Sequence, residues 1–404
     1  MIDTRFPPII KKVHVALYRQ RTAWPKFFTY KAKSSLVDYL SNILDCSSEN
    51  IILTESASAG LYGYLMALRI KDIKVALPAF SCQSLVEAII QAGCEPIFID
   101  IGSNTEISIT DAQYAVKQSC NFFIWPNYFA DRPRSEKVLN FLKDNKVRII
   151  IDEAQSFSTA TNTARLIKYD NDELLLLSFG LSKSIAGSGG GAICMAQPDY
   201  AFRYMRIKTL NSKDPKTRYA LLIISMLKER LFLVAPKLSM SLRIKPKRYD
   251  RLDTLLNSKP FPTFKNLGIN PYDAQTAFVN LLRSSDCSEK TLAAWRRLRE
   301  AIIYRWGEGA LFYINESQIA PNIVAIRINP DERFKLLLNL ASRGIQATWY
   351  YFPLPLVTKY SAYKTAPLKQ TIGISSSILI LPFQWRHTQR QHSLLIRAIT
   401  SESI

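Results

Sequence analysis

From Asn50 to about Met195 the chain alternates short, unbroken apolar runs with helix-like stretches. Val147–Ile151 (VRIII) and Leu174–Phe179 (LLLLSF) are apolar at nearly every position rather than at every second one. A strand of that kind is covered on both faces, which is the condition of a parallel sheet built from βαβ units. The spacing predicts strands in 50–56, 74–80, 95–101, 121–127, 147–154 and 172–180. It predicts helices in 34–44 with serine at the start, 58–70, 84–93 with Gly93 as the cap, 111–119 and 135–145. From about residue 290 the texture is α+β: helices at 293–306 and 332–344, strands at 322–328 and 377–383. The expected class is α/β, a large domain with a mainly parallel sheet between helices and a smaller C-terminal α+β domain. In 404 residues one core exceeds its usual limit of about 250–300 residues, so two domains are expected. The expected division is a basic arm at 1–34, a large domain at 35–255 and a small one at 256–404.

In an open parallel sheet, ligands bind beyond the carboxyl ends of the strands. The residues to weigh are therefore Ser56–Gly60, Phe80–Ser84, Asn127, Asp152–Gln155 and Ser178–Lys183. The only histidines are His14, His387 and His392, so the middle of the chain offers neither a histidine-ligated metal site nor a Ser-His-Asp triad. Cys46, Cys82, Cys94, Cys120, Cys194 and Cys287 form no C-x-x-C pair and suit reduced thiols in a cytosolic protein.

Charge narrows the partners. Lys+Arg outnumber Asp+Glu by 53 to 33, a net +20, which favours anionic ligands. Eight of the basic residues lie in 1–34 against one Asp, and fourteen lie in 203–251 against three acids. The second segment holds an apolar run, Tyr219–Leu227, far short of the ~20 residues a membrane span requires. Its cluster Arg243, Lys245, Lys247 and Arg248 leaves two readings open: a solvated helix pair at a dimer interface, or peripheral contact with an anionic membrane surface. No helix-turn-helix, zinc-finger or aromatic-basic motif is visible, so nucleic acid is not expected as a partner.

Three local patterns carry chemistry. A buried strand ends at Ser178; Lys183 follows, then a glycine-rich turn at Gly187–Gly191. A lysine at the mouth of a buried sheet is partly stripped of water, which frees its amine to condense with a carbonyl. Asp152 ends a strongly apolar strand, where a carboxylate needs a cationic partner. Ser56 and Ser58 open a helix whose free N–H groups suit a phosphate.

In this order and spacing the three patterns resemble the pyridoxal-phosphate enzymes of aspartate-aminotransferase fold (fold type I), and more closely the DegT/DnrJ/StrS family of sugar aminotransferases. The resemblance rests on ASAGL at 57–61, LPAFSCQS at 77–84, GCEPIFIDI at 93–101, DEAQS at 152–156 and SFGLSK with GSGGGAI at 178–193. It implies that Lys183 forms the internal aldimine and shuttles the proton. Asp152 would pair with the pyridinium nitrogen and Gln155 would contact the ring's phenolic oxygen. Ser178, Ser58 and the backbone N–H groups of Ala57 and Ser58 would bind the phosphate. Dehydratase relatives carry histidine in place of Lys183.

The resemblance further implies glutamate as amino donor, a keto-sugar nucleotide as acceptor, and a cytoplasmic homodimer in glycan or secondary-metabolite assembly. Decarboxylation, elimination or acyl transfer from the same cofactor linkage stay open, as does a non-catalytic binding role on the same fold. The chain departs from the pattern in three places. Cys82 stands where the family has an aromatic ring against the cofactor. Asn270 is present in GINPYDAQ but the arginine expected beside it is not. Tyr351–Pro355 (YFPLP) lacks the family's histidine. Asn270 and Tyr351 are the candidate substrate residues.

Overall fold

The computed structural model describes residues 31–129, 134–157, 173–180, 183, 187–210, 263–264, 267–284, 288–312, 323–343, 345, 347–349, 351–383 and 387–401. Most of the basic arm, most of 203–251 and the expected boundary at 255 lie outside that set.

Seven strands form the main sheet: β1 (Ile51–Thr54), β2 (Lys74–Pro78), β3 (Glu95–Ile99), β4 (Phe122–Pro126), β5 (Arg148–Asp152), β6 (Leu174–Ser178) and β7 (Gly191–Met195). Their spatial order is β1-β7-β6-β5-β4-β2-β3. The β3–β2–β4–β5–β6 ladder is parallel throughout, and β7 runs antiparallel to both β6 and β1. The unbroken apolar runs have the expected cause. Ile149, Ile151, Leu175 and Leu177 face one buried layer, whereas Ile150, Leu174 and Leu176 face the other.

Helices α1 (Ala32–Leu44), α2 (Ala57–Leu68), α3 (Gln83–Gln91), α4 (Ile109–Lys117), α5 (Glu136–Asp144) and α6 (Tyr200–Leu210) connect or flank these strands. Most expected boundaries shift by one to five residues, and two of the shifts have a local cause. Helix α1 starts at Ala32, before the serines read as its start, because Ala32 is itself buried; Ser34 Oγ instead donates to the Lys31 carbonyl at 3.0 Å. Helix α2 stops at Leu68, where Arg69 turns left-handed at φ 54°. Helix α3 ends as predicted: Gly93 has φ +76° and Cys94 N–H donates to the Ile89 carbonyl.

The C-terminal part comprises α7 (Pro271–Ser284), α8 (Ser288–Trp306), β8 (Val324–Arg327), α9 (Pro330–Ser342), α10 (Lys369–Ser377), β9 (Ile378–Leu381) and α11 (Gln389–Thr400). Strands β8 and β9 pair antiparallel. One buried cluster runs without a break from Ile151 and Leu177 through Ile269 and Leu281 to Val324 and Leu379. Among the described residues no helix is long and apolar enough to cross a membrane.

Strand β2 has β3 on one side and β4 on the other, so successive crossovers leave in opposite directions across the sheet. That switch point opens a crevice at the carboxyl ends of the strands.

Candidate active site

A cavity of about 330 Å³ occupies that crevice. Its wall is assembled from the segments that follow β1, β2, β4, β5 and β6, together with Phe264 and Tyr351.

The β1–α2 turn forms one end. Ser56 caps α2, its Oγ accepting from Ala59 N–H at 3.1 Å, and Thr54 Oγ1 donates to the Ser56 carbonyl at 2.9 Å. These bonds hold the first N–H groups of α2, from Ala57 onward, at the cavity. Strand β7 passes directly behind: a Cβ at Gly191 would stand 2.4 Å from Ala57 N and 2.7 Å from the Leu177 carbonyl, so glycine is required there. The N-terminus of α3 meets the same region. Ser58 Oγ donates to Ser84 Oγ at 2.8 Å, and Cys82 Sγ lies 3.1 Å from that oxygen. Two helix N-termini thus converge on one wall, a favourable setting for an anion.

The floor is the end of β5. Asp152 Oδ1 accepts from Ala154 N–H at 3.0 Å. Burial among the strands raises the pKa of Asp152 above the usual carboxylate value, while the nearby Lys183 charge opposes that rise. The neighbouring Glu153 is turned away from the cavity and buried, accepting from Asn127 Nδ2 and Ser156 Oγ. Asn127 N–H also donates to the Asp152 carbonyl at 3.0 Å, which ties the β4 and β5 ends together. Ser178 ends β6, and Lys183 N–H closes a turn onto the Gly180 carbonyl at 2.9 Å. Gln155 Nε2 donates to the Tyr351 hydroxyl.

Ala57, Ser58, Cys82, Asp152, Gln155, Ser178, Lys183 and Tyr351 all border this one cavity. Asn270 does not. It caps α7, its Oδ1 accepting from Asp273 N–H at 2.9 Å while its Nδ2 donates to the Asp273 carboxylate. Asp273 also accepts from Ser188 Oγ, and Ser188 N–H donates to Thr276 Oγ1 at 3.0 Å. The start of α7 therefore secures the glycine-rich turn that follows Lys183.

Six lining residues escaped the sequence reading: Glu55, Leu85, Pro126, Tyr128, Thr263 and Phe264. Tyr128 donates its hydroxyl to the Phe80 carbonyl, and its position directly after Asn127 was the available signal. Phe264 stacks on Tyr62 with centroids 5.2 Å apart, and nothing local in its sequence marks it. Among the described residues no group of three or more His, Cys, Asp or Glu could hold a metal ion.

Comparison with known proteins matches residues 40–228 to the model of the DegT/DnrJ/EryC1/StrS aminotransferase family. That segment belongs to the family. It carries the whole main sheet and every lining residue before Thr263, including Lys183 and Asp152. Solved structures share the fold beyond that segment. A DegT/DnrJ/EryC1/StrS aminotransferase from Brucella abortus is 18% identical with a TM-score of 0.65, over 93% of this chain and 91% of that one. The aminotransferase TlmJ from Streptoalloteichus hindustanus is 15% identical with a TM-score of 0.69, over 92% and 90%. The Helicobacter pylori aminotransferase PseC, involved in the biosynthesis of pseudoaminic acid, is 14% identical with a TM-score of 0.65, over 93% and 92%. At these identities what is shared is the fold. No curated protein sequence matches the chain.

Proposed function

We propose that the protein is a pyridoxal-phosphate-dependent aminotransferase that moves an amino group from glutamate to a keto group of a nucleotide-linked sugar. The observation that carries this reading is the shared cavity. Lys183, the half-buried Asp152 carboxylate and a helix N-terminus border one space of about 330 Å³. The residues suit the group. Asp152 is held in a site that penalises its charge, and a cationic ring nitrogen opposite would relieve that penalty. The α2 N-terminus, with Ser58 and Ser178, offers donors for a phosphate.

Bound pyridoxal phosphate supplies a carbonyl for an amine and a ring that stores an electron pair. The chain's own residues do the rest. Lys183 Nζ would hold the carbonyl of the bound group and, once displaced by the amino donor, would take the proton from that donor's α-carbon. Asp152 keeps the ring nitrogen protonated. Gln155 addresses the phenolic oxygen. The strand ends and Tyr128 line the floor. A sugar acceptor is supported by the family, and the +20 charge suits its diphosphate.

Purified protein should show an absorption band near the visible edge, and Lys183→Ala should lose it. Glutamate should convert the bound cofactor to its amine form. Lack of the band, or lack of that conversion with every amino donor offered, removes the reading. A screen of keto-sugar nucleotides then identifies the acceptor. A homodimer with Asn270 near a neighbouring site, and a cytoplasmic location, belong to the same proposal.

A further inference from the structure

We propose that Tyr351 is a positioning residue for the cofactor, acting through Gln155, rather than a contact for the sugar. This rests on the pyridoxal-phosphate reading above. Gln155 is 6% exposed, and its Nε2 donates to the Tyr351 hydroxyl across 196 residues of sequence. Tyr351 is itself fixed from two further sides. Its carbonyl accepts from Ser375 Oγ at 2.7 Å, and its ring packs edge-on to Phe80, centroids 5.3 Å apart at 79°. Three residues on, Leu354 N–H donates to the Ala79 carbonyl at 3.2 Å. Phe80 and Ala79 belong to the β2–α3 turn, whose Ser81 and Cys82 line the same cavity. The C-terminal segment therefore bridges two walls, with the Tyr351 hydroxyl as its contact on the Gln155 side.

An amide nitrogen carries two hydrogens. Committing one to Tyr351 fixes the plane of the Gln155 amide, and the other is then presented at a set angle. A donor aimed at the cofactor's phenolic oxygen withdraws electron density from it. With the cofactor bound, that oxygen would hold less firmly a proton shared with the Lys183 nitrogen, and the proton would leave at lower pH. Without the Tyr351 hydroxyl the amide turns more freely, the donor is less well aimed, and the proton leaves at higher pH.

The experiment is a pH titration of the cofactor's absorbance in the loaded protein. Tyr351→Phe keeps the ring on Phe80 and removes only the hydroxyl. It should raise the midpoint by about half a unit or more. Gln155→Ala should raise it at least as far, and the double variant should move no further than Gln155→Ala alone. A purely structural tyrosine would lower the melting temperature and leave the midpoint in place. An unchanged midpoint in Tyr351→Phe overturns the proposal, and so does a double-variant shift equal to the sum of the two single shifts. A wild-type protein with no band, or a band that survives Lys183→Ala, sinks the cofactor reading instead.

Discussion

Gly191 and Ala57 approach so closely that a Cβ on the first would stand 2.4 Å from the backbone nitrogen of the second. The start of β7 is thereby pressed against the N-terminus of α2, at the end of the cavity assigned to phosphate. Gly191→Ala should force the two apart. The expected cost is about 1–3 kcal/mol in denaturant unfolding of the apo protein, as for other overpacked sites. Cofactor affinity should fall with it, because the α2 N–H groups move from their places. Unaltered stability and affinity would show that the turn yields without cost.

Asp152 gives a pH prediction with a definite sign. Burial raises its folded-state pKa, with Lys183 opposing. In the unfolded chain the carboxyl titrates at its ordinary value. Apo stability supplied by the protonated group is complete below that value and is lost as pH rises toward the folded one. Asp152→Asn should therefore melt higher than wild type as apo protein at neutral pH, and the gap should close in acid. The same variant should lose transaminase activity by about 10²-fold or more, since the ring nitrogen loses its counter-charge. A variant less stable than wild type at neutral pH would contradict the sign.

Cys82 occupies the place of a ring in the resembled family and lines the cavity beside Ser84. Cys82→Phe should tighten cofactor binding, since an aromatic contact is worth about 0.5–1.5 kcal/mol beyond its buried area. Equilibrium dialysis of cofactor measures this. Weaker binding would mean that the cavity has no room for the ring.

The basic segment at 203–251 yields to flotation with anionic liposomes. If it lies on a membrane surface, the protein should float at low salt, and neutralising Arg243, Lys245, Lys247 and Arg248 should abolish flotation. Protein that stays at the bottom, or that floats equally well after neutralisation, removes that role.

The strand order could not be read locally, but the strands could. The apolar runs 149–151 and 174–177 declare themselves because a strand buried on both faces leaves no polar position in its middle. Asp152 was legible for a related reason: a charged residue at the end of such a run is conspicuous, and the sheet's geometry places it at the carboxyl edge; Lys183, five residues beyond Ser178, stood out through the SFGLSK motif and the glycine-rich turn after it. Helix starts were less legible. Ala32 begins α1 because of what it packs against, which no capping signal records.

The chain's own periodicity thus determined the layered α/β class and the strand ends at which the candidate residues sit; the cofactor was implied by the resemblance of their motifs to a known family. Spacing within ten or twenty residues sets which face a side chain occupies, and those assignments survive folding. Only tertiary structure decided that Gln155 meets Tyr351, that Phe264 closes the wall, and that Asn270 turns its amide to Asp273. Each depends on how distant segments pack, and the burial that drives the packing is proportional to area and has no direction of its own. The partner that each polar group then finds is settled by the shape of the assembled chain.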